Sequence, residues 1–78
     1  MSSNSTQPLS MLAIGQRATV VGVRGGGRFM GRLASLGFTP GAEVVMVRNY
    51  GRGPLIVSVL DTQIALGRGQ AHRVLVRL

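Results

Sequence analysis

Five residues, Gly37-Phe38-Thr39-Pro40-Gly41, constrain this chain more than any other stretch, because nearly every one carries turn chemistry. Residues 33–36 before them read as the end of an amphipathic helix, and residues 43–48 after them as a buried strand. If the helix ends at Leu36, Gly37 falls one residue beyond it, where a left-handed backbone is usual and glycine carries no Cβ penalty. Phe38 then occupies the position whose side chain folds back on the last helical turn, here onto Leu33. Thr39-Pro40-Gly41-Ala42 reads as a type II turn, with proline presetting φ at the second position and glycine supplying positive φ at the third. Helix, cap, turn and strand are thus specified within one short segment.

The rest of the chain can be placed from that joint. Residues 1–8, MSSNSTQP, are expected to be a disordered tail, leaving residues 9–78 as one domain. Leu9-Ser10-Met11-Leu12-Ala13-Ile14 brings in the first apolar side chains, and Gly15-Gln16 turns into a strand over residues 17–24. In that strand β-branched residues are frequent and Gly22 marks a bulge or a close backbone approach. Gly25-Gly26-Gly27 breaks it. A helix is predicted over residues 28–36, with Phe29, Leu33 and Leu36 facing the core, supported by Met30, and Arg28, Arg32 and Ser35 on the other side. Beyond the joint, strands are predicted over residues 43–48, 55–60, 63–66 and 73–78, with Asp61-Thr62 as a tight turn. Residues 67–72 are expected to form about one turn of irregular or 3₁₀ backbone. On the last strand Val74, Val76 and Leu78 share one face, opposite Arg73, Leu75 and Arg77. The fold class is therefore mainly all-β, a small antiparallel barrel of five strands with one inserted short helix. Closing the barrel would remove strand edges that so apolar a sequence could ill tolerate.

Composition narrows the function. With 78 residues and no cysteine, a disulfide scaffold, a thiolate metal site and thiol catalysis are all excluded. Nine basic residues, all arginine, oppose only Glu43 and Asp61, a net charge of +7 that favours nucleic acid, an anionic membrane surface or an acidic protein face. Residues 1–10 lack the basic start and long apolar run of a signal peptide, and no apolar run approaches the roughly 20 residues that span a bilayer. The expected location is cytoplasmic.

Candidate chemistry is sparse. The titratable groups available for acid–base work are Glu43, Asp61 and His72, each in a different predicted element, so no catalytic set can be argued and the chain reads as a non-enzyme. A metal site inside one chain needs three or four ligands, which these residues do not supply, and no metal site or cofactor is expected. The glycine triplet is not a Walker loop, because the chain has no lysine to follow it. Residues 15–33, GQRATVVGVRGGGRFMGRL, do resemble the strand–loop–strand glycine pattern of KOW segments, which makes an RNA-binding module the rival class. Against it, single-strand binders need aromatic platforms, and with Phe29 and Phe38 assigned to the core only Tyr50 remains. A basic peripheral-membrane adaptor is a third class.

One further pattern covers residues 9–78. Ile14-Gly15, Gly25-Gly26, the run from Arg32-Leu33 through Leu36-Gly37-Phe38 to Pro40-Gly41, then Pro54-Leu55-Ile56-Val57, Ile64-Ala65-Leu66 and Ala71-His72-Arg73-Val74-Leu75-Val76 follow one another in order. In order and spacing they resemble the FeoA family, small accessory proteins of bacterial ferrous-iron uptake, to which the C-terminal domain of DtxR-type repressors is related. The resemblance implies an SH3-like barrel with a helical insertion and a role in binding rather than catalysis. It implies as partner the cytosolic region of FeoB, the membrane ferrous-iron transporter, with membrane association only through that partner. Two departures fall where a partner could bind: Arg52-Gly53 stands where the family often has an acidic residue, and Gly67 and Gly69 weaken a stretch that is usually helical.

The matching residues Leu33, Leu36, Gly37, Phe38, Pro40 and Gly41 are structural and name no docking face. The polar loop over residues 48–53 is the first candidate, since it offers Arg48, Tyr50 and Arg52 to solvent, residue types enriched at interface hot spots. Arg28 and Arg32, opposite the helix's core stripe, are the second.

Overall fold

The computed structural model describes residues 5–78. Along the chain run β1 (Gln7–Pro8), a 3₁₀ turn (Leu9–Met11), β2 (Arg17–Val23), α1 (Gly27–Ser35), β3 (Glu43–Arg48), β4 (Leu55–Val59), β5 (Thr62–Leu66), α2 (Arg68–His72) and β6 (Val74–Arg77). All strand pairs are antiparallel, in the order β1-β6-β2-β3-β4-β5.

The joint folds as its chemistry demands. The Phe38 N–H donates to the Leu33 carbonyl at 3.0 Å and the Gly37 N–H to the Ala34 carbonyl at 3.0 Å, the two bonds of a Schellman cap. Gly37 has φ +107° and Gly41 φ +92°. The Ala42 N–H closes the type II turn on the Thr39 carbonyl at 2.9 Å. Val20 in β2 then locks the joint to the sheet, accepting from the Gly41 N–H and donating to the Ala42 carbonyl, both at 2.8 Å.

Alternation along the strands feeds one core. Ala18 and Val20, Val44 and Met46, Leu55, Val57 and Val59, Leu66, and Val74 and Val76 are all buried in a single cluster with Leu33 and Phe38. Leu9, Leu12 and Ala71 close it from the 3₁₀ turn and α2. Each of the buried Val, Leu, Met and Phe side chains contributes about 1.5–3 kcal/mol by leaving water. The expected bulge is present: pairing of β2 with β6 shifts register between Val20 and Gly22.

Several expectations need correction. The sheet has six strands rather than five and is not closed, because β1 and β5 are its two edges. The sixth strand comes from the expected tail: Gln7 and Pro8 pair with Val76 and Leu75. Residues 1–4 of that tail lie outside the described residues. Residues 68–72 form a second helix, because the Gln70 side chain reaches back to accept the Gly67 N–H at 3.0 Å and so offsets the glycines. On α1 only Leu33 is fully buried; Phe29 is half-buried, and Leu36, which caps the helix, is 38% exposed. Leu78 lies past the end of β6 and is exposed rather than on the core face.

Candidate functional site

The loop after β3 is fixed at its base by one side chain. Asn49 turns inward, and its Nδ2 donates to the carbonyls of Ser10 at 3.0 Å and Leu12 at 2.9 Å. Its Oδ1 accepts from the Gly51 N–H at 3.2 Å and from Arg68 Nη2 at 2.9 Å. Two donors and two lone pairs are an amide's full capacity, and all are used. The loop is thereby tied to the 3₁₀ turn and to α2, while the residues on either side of Asn49 face solvent. The Arg68 Nε is buried beneath it, with no hydrogen-bond partner among the described residues.

Outside that clamp, Tyr50 is 72% exposed. The Arg48 guanidinium lies 5.7 Å from its ring centroid, a cation–π contact that holds both side chains in one orientation. Arg52 is exposed two residues on. Among the described residues the one ion pair is Arg17 with Glu43 at 3.5 Å, both well exposed. The loop arginines therefore keep their charge available to another molecule.

Arg28 and Arg32 are exposed on α1, one helical turn apart. They take no part in the contacts that fix the loop, and the segment that follows α1 enters β3 at Glu43, the end of that strand opposite the loop. Leu33 and Phe38 are core residues, and Gly37, Pro40 and Gly41 lie in the joint. Glu43 and Asp61 line one shallow cleft that His72 does not share, and no group of three His, Cys, Asp or Glu side chains placed to hold a metal ion occurs among the described residues. No helix among the described residues is long and apolar enough to cross a membrane.

Sequence reasoning missed two features. Asn49 carried no signal, since the partners that make it a clamp stand 19, 37 and 39 residues away. Nor did sequence show that Arg24, His72 and Arg73 line one cleft together.

Comparison with known proteins agrees with this architecture. Residues 7–78 match the FeoA domain model. A Methanocaldococcus jannaschii protein, provisionally named Fe(2+) transport protein A, is 35% identical over 69 residues, covering 88% of this chain and 83% of its own. A crystal structure of an iron uptake regulatory protein, FeoA, superimposes with a TM-score of 0.88 at 38% identity, over 94% of this chain and 97% of its own. FeoA of Stenotrophomonas maltophilia, solved with zinc and described as a prokaryotic SH3 domain protein, gives 0.78 at 38% identity, over 88% of this chain and 87% of its own. The open six-stranded sheet with its helical insertion fits that SH3-like fold. With the family model spanning everything from β1 to the last residue, this chain belongs to the FeoA family.

Proposed function

We propose that this protein is a non-enzymatic accessory of ferrous-iron uptake that docks, in the cytoplasm, on the cytosolic region of the FeoB transporter. Membership of the FeoA family, with relatives named for ferrous-iron transport, supports the pathway. The observation that carries the docking is the loop beyond Asn49: a braced base, an exposed Tyr50 against Arg48, and Arg52 with no ion-pair partner among the described residues. Rigid aromatic and arginine side chains lose little entropy on binding and suit a partner's acidic surface. Membrane association would run through the transporter. The RNA-binding reading is not favoured, since Phe38 is buried and Phe29 carries Arg73 over its ring.

The test is titration of the full chain against the transporter's cytosolic region at two ionic strengths. Replacing Arg48 and Arg52 together by Glu is expected to leave the fold intact, weaken binding by about tenfold or more, and flatten its salt dependence. Unchanged affinity with an intact fold would move the docking face elsewhere, and the Arg28→Glu/Arg32→Glu variant would then locate it on α1.

A further inference from the structure

A cleft of about 620 Å³ opens where β1, the start of β6 and the connection from β2 to α1 meet, and its walls include Pro8, Arg24, Gly25, His72, Arg73 and Leu75. Pairing across the sheet brings its two arginines together: the Arg24 N–H donates to the Arg73 carbonyl at 2.8 Å, so both side chains start from neighbouring backbone. Two arginines anchored this close make the rim of the cleft electropositive, which favours an anion. Among the described residues no carboxylate lines the cleft. Glu43 is paired with Arg17, and Asp61 belongs to the β4–β5 turn; both line a different cleft.

Arg73 and His72 are also restrained by contacts within the chain. The Arg73 guanidinium lies 5.3 Å from the Phe29 ring centroid, a face that restricts its rotamers. The His72 ring is fixed by a 3.2 Å hydrogen bond between its Nδ1 and Ser10 Oγ, which leaves Nε2 open. With Nδ1 engaged by the serine, Nε2 is the ring nitrogen left to meet a ligand. Two forked guanidiniums beside an imidazole match the several oxygens of a phosphate better than the two of a carboxylate. The cleft is much larger than a bare phosphate and falls in the size range of small-molecule sites. Half-buried Pro8 and Leu75 add an apolar wall beside the charged one.

We propose that this cleft binds a phosphorylated small molecule of mononucleotide size, its phosphate taken by Arg24, Arg73 and His72 and its organic part lying along Pro8 and Leu75. The site is separate from the loop beyond Asn49, so it stands whether or not that loop docks a transporter.

The test is an amide chemical-shift titration of the ¹⁵N-labelled full chain with three probes: a nucleoside monophosphate, inorganic phosphate, and phosphatidylcholine vesicles containing phosphatidylglycerol. The expected result is saturable shifts at Arg24, Gly25 and Arg73, tighter for the nucleotide than for inorganic phosphate. Arg24→Gln, at an exposed position where the spectrum reports an intact fold, is expected to weaken nucleotide binding by about tenfold, the loss of one charge-assisted contact. Arg77→Gln, which removes the same charge away from the cleft, should leave it unchanged. Non-saturating shifts, or equal losses in the two variants, would overturn the site as mere attraction to net charge. Nucleotide binding no tighter than that of inorganic phosphate would overturn the role of Pro8 and Leu75. Binding to vesicles alone would replace the soluble ligand by a lipid surface.

Discussion

Leu60 lies against Gly37, with its Cδ1 2.9 Å from where a Cβ on that glycine would stand. The contact joins the β4–β5 turn to the end of α1. Because Leu60 is exposed and its side-chain end can shift, the larger obstacle to substitution at Gly37 is its φ of +107°. Gly37→Val, a β-branched residue forced into that region, is expected to lower stability by at least ~1–2 kcal/mol. Ser35→Ala removes only a local 2.7 Å bond to the Arg32 carbonyl and should stay within about 0.5 kcal/mol. Urea unfolding of both variants checks this; equal midpoints would mean that the joint is not the constraint described.

The same turn carries avoidable strain. Leu60 and Asp61 have φ of +50° and +61°, as a two-residue type I′ hairpin loop requires, yet leucine is poorly suited to the left-handed region. Leu60→Asn should stabilise the protein by roughly 0.5–1 kcal/mol, since asparagine tolerates that conformation and the leucine is mostly exposed. A lower melting temperature for the variant would show that contact with Gly37 outweighs the strain.

Asn49→Ala should be the most damaging loop substitution. It leaves two backbone carbonyls and the Arg68 guanidinium without their partner, a loss of about 1–3 kcal/mol. Asn49→Asp should be no milder, because a carboxylate facing the Ser10 and Leu12 carbonyls has acceptors opposed to acceptors. Denaturant unfolding and amide exchange in the 3₁₀ turn measure both effects; full stability in Asn49→Ala would refute the clamp.

Tyr50→Ala separates docking from folding. With 72% of the residue in solvent, its removal should change stability by less than about 0.5 kcal/mol. Binding to the transporter's cytosolic region should nonetheless fall by about 1–2 kcal/mol, as expected for an aromatic anchor. Titration calorimetry reads both partners directly, and an unaltered affinity would leave the tyrosine without a role.

What could be read from sequence was what neighbouring residues decide. The joint at Gly37 to Gly41 was legible because each of its hydrogen bonds connects residues at most five apart, or binds a turn already formed to Val20. The strand over Glu43–Arg48 followed from composition, and the bulge near Gly22 from one glycine. Pairings between distant segments were not legible. Two residues, Gln7 and Pro8, have no periodicity to announce a strand, and only the far end of the chain gives them one. Leu36 satisfied a helical stripe yet stays partly exposed, because periodicity fixes direction and not what already occupies the space. The site divides the same way: exposure of Arg48, Tyr50 and Arg52 was readable, while the clamp beneath them and the convergence of Arg24 with Arg73 depend on tertiary placement.

The open sheet has a consequence for the protein as a solute. β5 has a strand neighbour on one side only, and its sequence, TQIAL, contains neither charge nor proline to discourage another strand from joining. What opposes such zippering between copies is long-range: at a net charge of +7, two molecules repel before their rims can align. That protection has a reach of about 10 Å at moderate salt and shrinks as salt is added. The exposed arginines thus maintain colloidal stability, and a variant stripped of several would lose monodispersity.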